Sequence, residues 1–409
     1  MGLNTEVVVT GLGAMTPLGT DVATTWSSLL TGESGVRRTG LHLKGEDSPA
    51  AIAGLMAGDP AEMLGPIAAK RLDRSQQAAM AAAAEAWADA GYPEVDGDRL
   101  VSSIGTGIGG IRSLLKENGA LELAGTRRVS PRTVPMLMPN AAAAAISIEY
   151  GARGGAYTPV SACSSGAEAI ALGARLIRAG EADVVIAGGT EAAITPITVA
   201  GFMQARSLST YAGDPADASR PFAVDRDGFV LGEGAGIVVL ESAAHAAARG
   251  ARVRAVLAGA GVTSDAHHMT APAPDGRGQT AAMRKALRQA GVGPEAIGHI
   301  NAHATGTAVG DISEARAIVD VFGAGTVTTA PKASMGHLFG AAGAVEALLT
   351  ILSVEHGVVP PTRNLTTSGL DPLMELDVAT TRRDTSLRAA LSNSFGFGGQ
   401  NVSLLFTPA

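Results

Sequence analysis

A layered α/β fold is what this sequence predicts, on three observations. Short apolar runs alternate with longer alanine-rich segments of helical period, aromatic residues make up only 3% of the 409 residues, and glycine occurs 53 times. Alternation of that kind marks strands joined by helices in a mostly parallel sheet. Few aromatics and many small residues mean that Ala, Val, Leu and Ile fill the core while backbones approach closely.

The runs EVVVTG, RLVSSIGTG, ADVVIAGG, GIVVLES, RVRAVLAG, HINAHA, TVTTAP, AALSNS and NVSLLF read as strands. Between them SQQAAMAAAAEAWADAG, SSGAEAIALGARLIRAG and GAAGAVEALLTILSVEHG read as helices, each closed by a glycine suited to a left-handed cap. The second and third are apolar on most faces. A strand running into GLG at Gly11 to Gly13 is echoed by one running into GAG at Gly259 to Gly261. This is compatible with two related halves, residues 1–250 and 251–409, although strand-to-glycine turns recur in α/β proteins.

Length permits two domains or one large duplicated one. A formal net charge of -7 argues against bulk electrostatic binding of nucleic acid, while leaving room for a local basic patch that receives an acidic partner. Cys163 is the one cysteine, so no intrachain disulfide can form and a cytoplasmic setting is the expectation. The N-terminus lacks a basic segment followed by an apolar one, and no membrane span is expected. Gly2 does not complete a myristoylation signal, because Glu6 stands where Ser or Thr is needed.

Chemistry enters with TPVSACSSGAEAIALGARLIRAG, which places Cys163 just before a helical run. The helix dipole, worth at most about 2 kcal/mol, lowers a thiol near 8.5 by at most about 1.5 units, so full activation needs a base or cation as well. Taken alone, Cys163 fits two roles, a reactive thiol and a small buried apolar residue. INAHATGTAVGD and APKASMGHLFGAAGAVEA each follow a strand and carry His303 and His337 at sheet edges, where open α/β folds place ligands. SNSFGFGGQNVSLLF adds a glycine turn whose amides could approach a ligand.

In that order, VSACSSGAEA, NAHATGT, PKASMGHLFGAAGAVE and NSFGFGG resemble the four signatures of beta-ketoacyl-acyl-carrier-protein synthases, in particular the elongating type II class of fatty acid and polyketide systems. The likeness runs over nearly the whole chain. It implies a thiolase-like fold, two duplicated α/β halves in a five-layer αβαβα arrangement. It also implies an acyl carrier protein that presents substrates on its phosphopantetheine arm, no other cofactor, no metal, and pairing as a homodimer or as a heterodimer with a chain-length-factor homologue.

Carried over by position, the resemblance makes Cys163 the acyl-accepting nucleophile and His303 and His337 the pair that holds the malonyl thioester carbonyl. Lys332 and Glu314 would orient His303. Phe397 would be the hinged residue beside the thiol, its amide and that of Cys163 forming an oxyanion hole. Ile108 would line the acyl tunnel and Thr305 and Thr307 would touch pantetheine, with Phe202, His268, Thr270 and Phe395 as further substrate contacts. Neutral imidazoles can donate to an enolate oxygen that carboxylates would repel, which suits a Cys-His-His set better than a hydrolytic triad.

Other readings are weaker. Gly105, Gly107 and Gly110 fit a dinucleotide motif, but no acidic residue follows at the needed distance. His267 and His268 have no further ligand at metal spacing. A non-catalytic chain-length partner would lack the thiol, a thiolase would use a second cysteine, and a chain-starting synthase would pair one His with Asn. Arg71, Arg74, Arg127, Arg128 and Arg206 are candidates for a carrier-protein patch, or simply solvated charges. Gln400 after GFGG, and Arg132 and Thr133 in VSPRTVPMLMP, depart from the family pattern and suggest a pocket for medium, long or functionalised acyl chains.

Overall fold

The structure is a computed structural model that describes residues 5–41, 43, 52–365 and 369–409. Its centre is an eleven-stranded sheet. In chain order the strands are β1 (Val7–Met15), β2 (Leu100–Gly105), β3 (Gly155–Tyr157), β4 (Val184–Glu191), β5 (Gly234–Ser242), β6 (Ala255–Ser264), β7 (Ile297–Asn301), β8 (Val327–Thr329), β9 (Asp377–Val378), β10 (Ala389–Gly396) and β11 (Gln400–Thr407). Every run expected as a strand is one. The short edge strands β3 and β9 carry too little apolar pattern to be seen beforehand.

β1 and β6 meet only through Val8 with Val256 and Val9 with Ala255, and this seam divides the sheet in two. Outward on one side lie β5, β4, β2 and β3; on the other lie β11, β10, β7, β8 and β9. On each side the first two pairings are antiparallel and the outer ones parallel. The expected mostly parallel sheet is therefore corrected to a mixed one. The cause is topological: β10 and β11 form a hairpin across the glycine turn, and β5 inserts against β1, so neither needs a helical crossover.

The same pattern on both sides of the seam is the mark of duplication. Helix α1 (Arg74–Asp89) lies on β1, and α6 (Arg277–Ala290) lies on β6 in the equivalent place. The glycines expected to form turns are inside these strands instead. A Cβ on Gly11 would stand 2.1 Å from the carbonyl oxygen of Ala86, and one on Gly259 2.2 Å from that of Ala286. Glycine is required because each helix backbone rests directly on its strand, not because the chain turns.

Between the two half-sheets lie α4 (Ser165–Arg178) and α8 (Ala342–His356), packed on each other and on strands from both halves. With α1 and α3 (Ala141–Tyr150) outside one half-sheet, and α6 and α7 (Ala308–Phe322) outside the other, the layers run αβαβα. Helix α2 (Ile111–Ala124) and α5 (Pro196–Gln204) lie beyond this frame. Residues 342 to 354 are all buried, which explains their lack of a polar face. The stretch Phe339–His356 is long and apolar enough to cross a membrane, but 89% of it is buried inside the protein.

Candidate active site

α4 and α8 cross at small residues. A Cβ on Gly166 would stand 2.8 Å from the carbonyl oxygen of Gly340, and one on Gly343 2.8 Å from Cβ of Ala167. This contact joins the chemistry of the two halves: Cys163 lies in the turn that opens α4, and His337 just before α8. His303 follows the end of β7. Sγ of Cys163 and one ring nitrogen of each histidine lie within 4.8 Å of one another. Ala162 and Phe339, which flank the site, are held at φ of 52° and 47°. For non-glycine residues that backbone costs on the order of 1–3 kcal/mol each, a strain that surrounding packing must hold.

Each histidine is set differently. The backbone N–H groups of His303 and Ala304 donate to the two oxygens of Glu314 at 2.8 and 2.7 Å. Glu314 thus fixes the backbone of His303 and does not touch its ring, which refines its expected role. The ring is oriented by Lys332, whose Nζ stands 3.4 Å from Nδ1. Lysine nitrogen donates, so in the neutral ring the proton sits on Nε2, available to a ligand. His337 is boxed by aromatic rings, stacked on Phe339 at 4.9 Å and edge-on to Phe229 at 5.5 Å. Neither of its ring nitrogens has a partner among the described residues. Burial, with the Lys332 charge adding to it, holds both imidazoles well below the usual histidine range and so neutral.

Glu346 escaped the reading of the sequence. It ion-pairs with Lys332, both side chains being 2% exposed, and burial pushes its carboxyl up to about 7. The available signal was an ionisable residue on the otherwise apolar first turns of α8. Asp311 was missed likewise: it accepts from the amides of Thr305, Gly306 and Phe222, and so shapes the HATGT loop.

The thiol is buried, not poised as an anion. Burial pushes Cys163 up to about 11, opposed by the Phe397 amide on its sulfur and the Lys332 charge. Gly396 packs against the nucleophile turn, where a Cβ would fall 3.1 Å from the Cys163 nitrogen. The strand end that carries Gly396 and Phe397 is thus held against the turn, with the Phe397 amide on the sulfur.

A cavity of about 370 Å³ opens onto this cluster and is lined by Cys163, His303, His337, Thr305, Thr307, Thr270, Phe395 and Phe397, among others. Three expected contacts lie elsewhere. Ile108 is 36% exposed and outside the lining, because its loop is pinned by Glu191, which accepts the amides of Gly107 and Gly340. Phe202 sits behind the wall, its ring 5.1 Å from Phe339 and 6.3 Å from Phe397. His268 turns back on its own loop, Nδ1 accepting from the amides of Thr270 and Ala271 at 3.1 and 3.2 Å. Gln400 is also outside the lining. Of the arginines, Arg206 reaches the cavity wall, whereas Arg74 is occupied by Glu233 and Asp59.

A thiol at a helix start and two neutral imidazoles in a duplicated α/β frame define a thiol acyltransferase of the thiolase-like fold. The chain belongs to the beta-ketoacyl synthase family: residues 4–246 match the model of its N-terminal domain, and residues 254–366 that of its C-terminal domain. It is 46% identical over 404 residues to 3-oxoacyl-[acyl-carrier-protein] synthase 2 of Mycobacterium tuberculosis (strain ATCC 25618 / H37Rv), covering 98% of this chain and 96% of that protein. Among solved structures it is similar to a type II PKS ketosynthase in complex with its acyl-carrier protein and bound to the hexaketide. There the TM-score is 0.91 and the identity 30%, over 99% of this chain and 100% of the other. The ishigamide ketosynthase/chain length factor superposes with a TM-score of 0.89 at 33% identity, over 99% and 100% of the two chains.

Proposed function

We propose that the protein is an elongating beta-ketoacyl-acyl-carrier-protein synthase, condensing an acyl group held on Cys163 with a malonyl thioester in fatty acid or type II polyketide synthesis. In the first half-reaction the sulfur attacks the acyl thioester; a new C–S bond forms, the carrier's C–S bond breaks, and the proton of Cys163 goes to the departing carrier thiol. The amides of Cys163 and Phe397 meet the charge on the carbonyl oxygen, a type of contact worth roughly 100-fold to 1000-fold. In the second, the bond from malonyl Cα to its carboxylate breaks and CO2 leaves. The electron pair becomes an enolate whose oxygen accepts N–H groups from His303 and His337. The enolate carbon then attacks the acyl carbonyl and releases Cys163, which takes up a proton from the medium.

One observation carries the reading: the sulfur and two neutral imidazoles converge within 4.8 Å at the wall of an open cavity. Thr305, Thr307 and Thr270 offer hydroxyls along that cavity to a phosphopantetheine arm, and Phe395 an apolar wall. The carrier is acyl carrier protein, as the names of the relatives suggest. Arg206, at the mouth, and the exposed Arg127 and Arg128 supply positive charge for an acidic partner. The chain functions in the cytoplasm as a dimer whose halves divide near residue 250. Pairing with a like chain or a chain-length factor is supported by the edge strand β3, with Tyr157 at 38% and nearby Val160 at 56% exposure, and by the exposed Leu114 and Leu115 of α2. Ile108, exposed in the single chain, then completes the acyl tunnel only when that face is covered. Thr133 opens a short helix, Thr133–Leu137, that packs on α2, and with Arg132 it favours medium, long or functionalised chains.

The test is intact-mass analysis after mixing with an acylated carrier protein. Wild type gains one acyl group, and Cys163→Ala gains none. His303→Ala and His337→Ala still acylate and fail to release 3-oxoacyl product from the malonyl carrier. Normal condensation by either histidine variant overturns the assignment.

A further inference from the structure

Thiolate and imidazole are the ligands that zinc and neighbouring divalent ions select. Zn–S near 2.3 Å and Zn–N near 2.0 Å separate tetrahedral ligand atoms by roughly 3.5 Å. The sulfur of Cys163 and the two imidazoles, all within 4.8 Å of one another and buried, are therefore about 1 Å of closure from three corners of a zinc site with an open fourth position. A condensing enzyme built this way needs something that keeps the metal out.

His337 is ready to ligate, with no partner on either ring nitrogen among the described residues. His303 is not. The lone pair of its Nδ1 faces the Nζ of Lys332 at 3.4 Å, and the ring proton consequently lies on Nε2. Neither nitrogen presents a free lone pair. Ligation through Nε2 would move the proton to Nδ1, directly against a lysine donor. In metal sites the second ring nitrogen of a ligating histidine donates to a carboxylate, carbonyl or water, so the polarity here is the reverse of what a metal needs. Lys332 is held in this position by its ion pair with Glu346, among groups that are 2% exposed.

We propose that Lys332 is a metal-excluding residue: by imposing the Nε2–H tautomer on His303 and placing a buried positive charge beside it, it keeps soft divalent cations out of the Cys163-His303-His337 cluster. The tautomer that serves condensation and the one that excludes metal are the same, so one positioning residue does both. The inference shares only that tautomer with the proposed reaction.

The experiment is a Co²⁺ titration without substrate, read by the thiolate-to-cobalt charge-transfer absorption, with Zn²⁺ as competitor. Wild type shows no such band. Lys332→Met and Lys332→Met/Glu346→Gln both show it, with affinity tighter by roughly 10-fold to 100-fold, the usual scale of outer-sphere effects; Cys163→Ser in either background abolishes it. A wild-type protein with the same band, or variants that keep the native thermal transition and gain no band, overturns the proposal. A band in the single variant that the double variant loses assigns the ion to the stranded carboxylate and overturns it as well. Independently of folding in the variants, Zn²⁺ leaves the alkylation rate of Cys163 in wild type unchanged; protection by Zn²⁺ contradicts the idea. Because no turnover is measured, failure here is separable from failure of the condensation reading.

Discussion

Glu314 accepts the backbone N–H of His303 at 2.8 Å, and with its other oxygen that of Ala304 at 2.7 Å. The carboxylate lies on α7, the histidine at the end of β7, and this pair ties the catalytic loop to the outer helix layer. Glu314→Ala leaves two buried amides without acceptors, each costing about 1–3 kcal/mol. The expected loss is roughly 2–6 kcal/mol in urea unfolding, with condensation falling more than acylation. A variant as stable as wild type contradicts this.

Gly396 is held against the nucleophile turn, where an added Cβ would lie 2.8 Å from the Ser161 carbonyl oxygen and 3.1 Å from the Cys163 nitrogen. Gly396→Ala should displace the Phe397 amide from the nucleophile turn and so disturb the proposed oxyanion hole. Single-turnover acylation should slow by roughly 100-fold to 1000-fold, the scale of an oxyanion-hole donor. Unchanged acylation would place the oxyanion elsewhere.

Burial raises the Cys163 thiol to about 11, so in the free enzyme the thiolate is scarce at neutral pH. The rate of iodoacetamide alkylation at Cys163 should rise about tenfold per pH unit from about pH 7 to 10, since only the thiolate reacts. Lys332→Met removes one of the influences that lower this thiol, and its rate at about pH 8 should be below that of wild type. A plateau below about pH 9 in wild type would show a stronger activating field than burial permits.

Glu191, at the end of β4, accepts the amides of Gly107, after the neighbouring β2, and of Gly340, before α8, and is raised by burial from 4.5 to about 7. A carboxyl raised in the fold binds its proton more tightly there than in the unfolded chain. Its contribution is therefore fully present below the unfolded value and is lost as pH rises through about 7. The difference in thermal stability between wild type and Glu191→Gln should move against wild type between about pH 5 and 8. A gap independent of pH would show that this group does not titrate in that window.

Much of this was legible in the chain. Strand runs such as ADVVIAGG, the helix after Cys163 and the largely apolar α8 are local patterns, written in periodicity and capping, and the structure contains each. Cys163, His303 and His337 stand at element ends in small polar motifs, but it was the resemblance of those motifs to a known family that gave them their roles; the structure brings them together. Direction of pairing was not legible: β10 and β11 form a hairpin, and nothing in an apolar run says which way its neighbour points. That Ile108, Phe202 and His268 lie outside the cavity lining was not legible either, since a motif gives a residue's position in the chain but not the face its side chain takes.

The sequence by itself determined the elements, the thiol and the imidazoles, while the reason for Gly11 and Gly259, a helix resting directly on the strand, came from the tertiary structure. Tertiary structure alone decided that Glu346 holds Lys332, that Lys332 sets the tautomer of His303, and that the thiol is protonated at rest. These depend on which charges share a space closed to water. Two side chains distant along the chain acquire their protonation states only when packing removes the solvent between them.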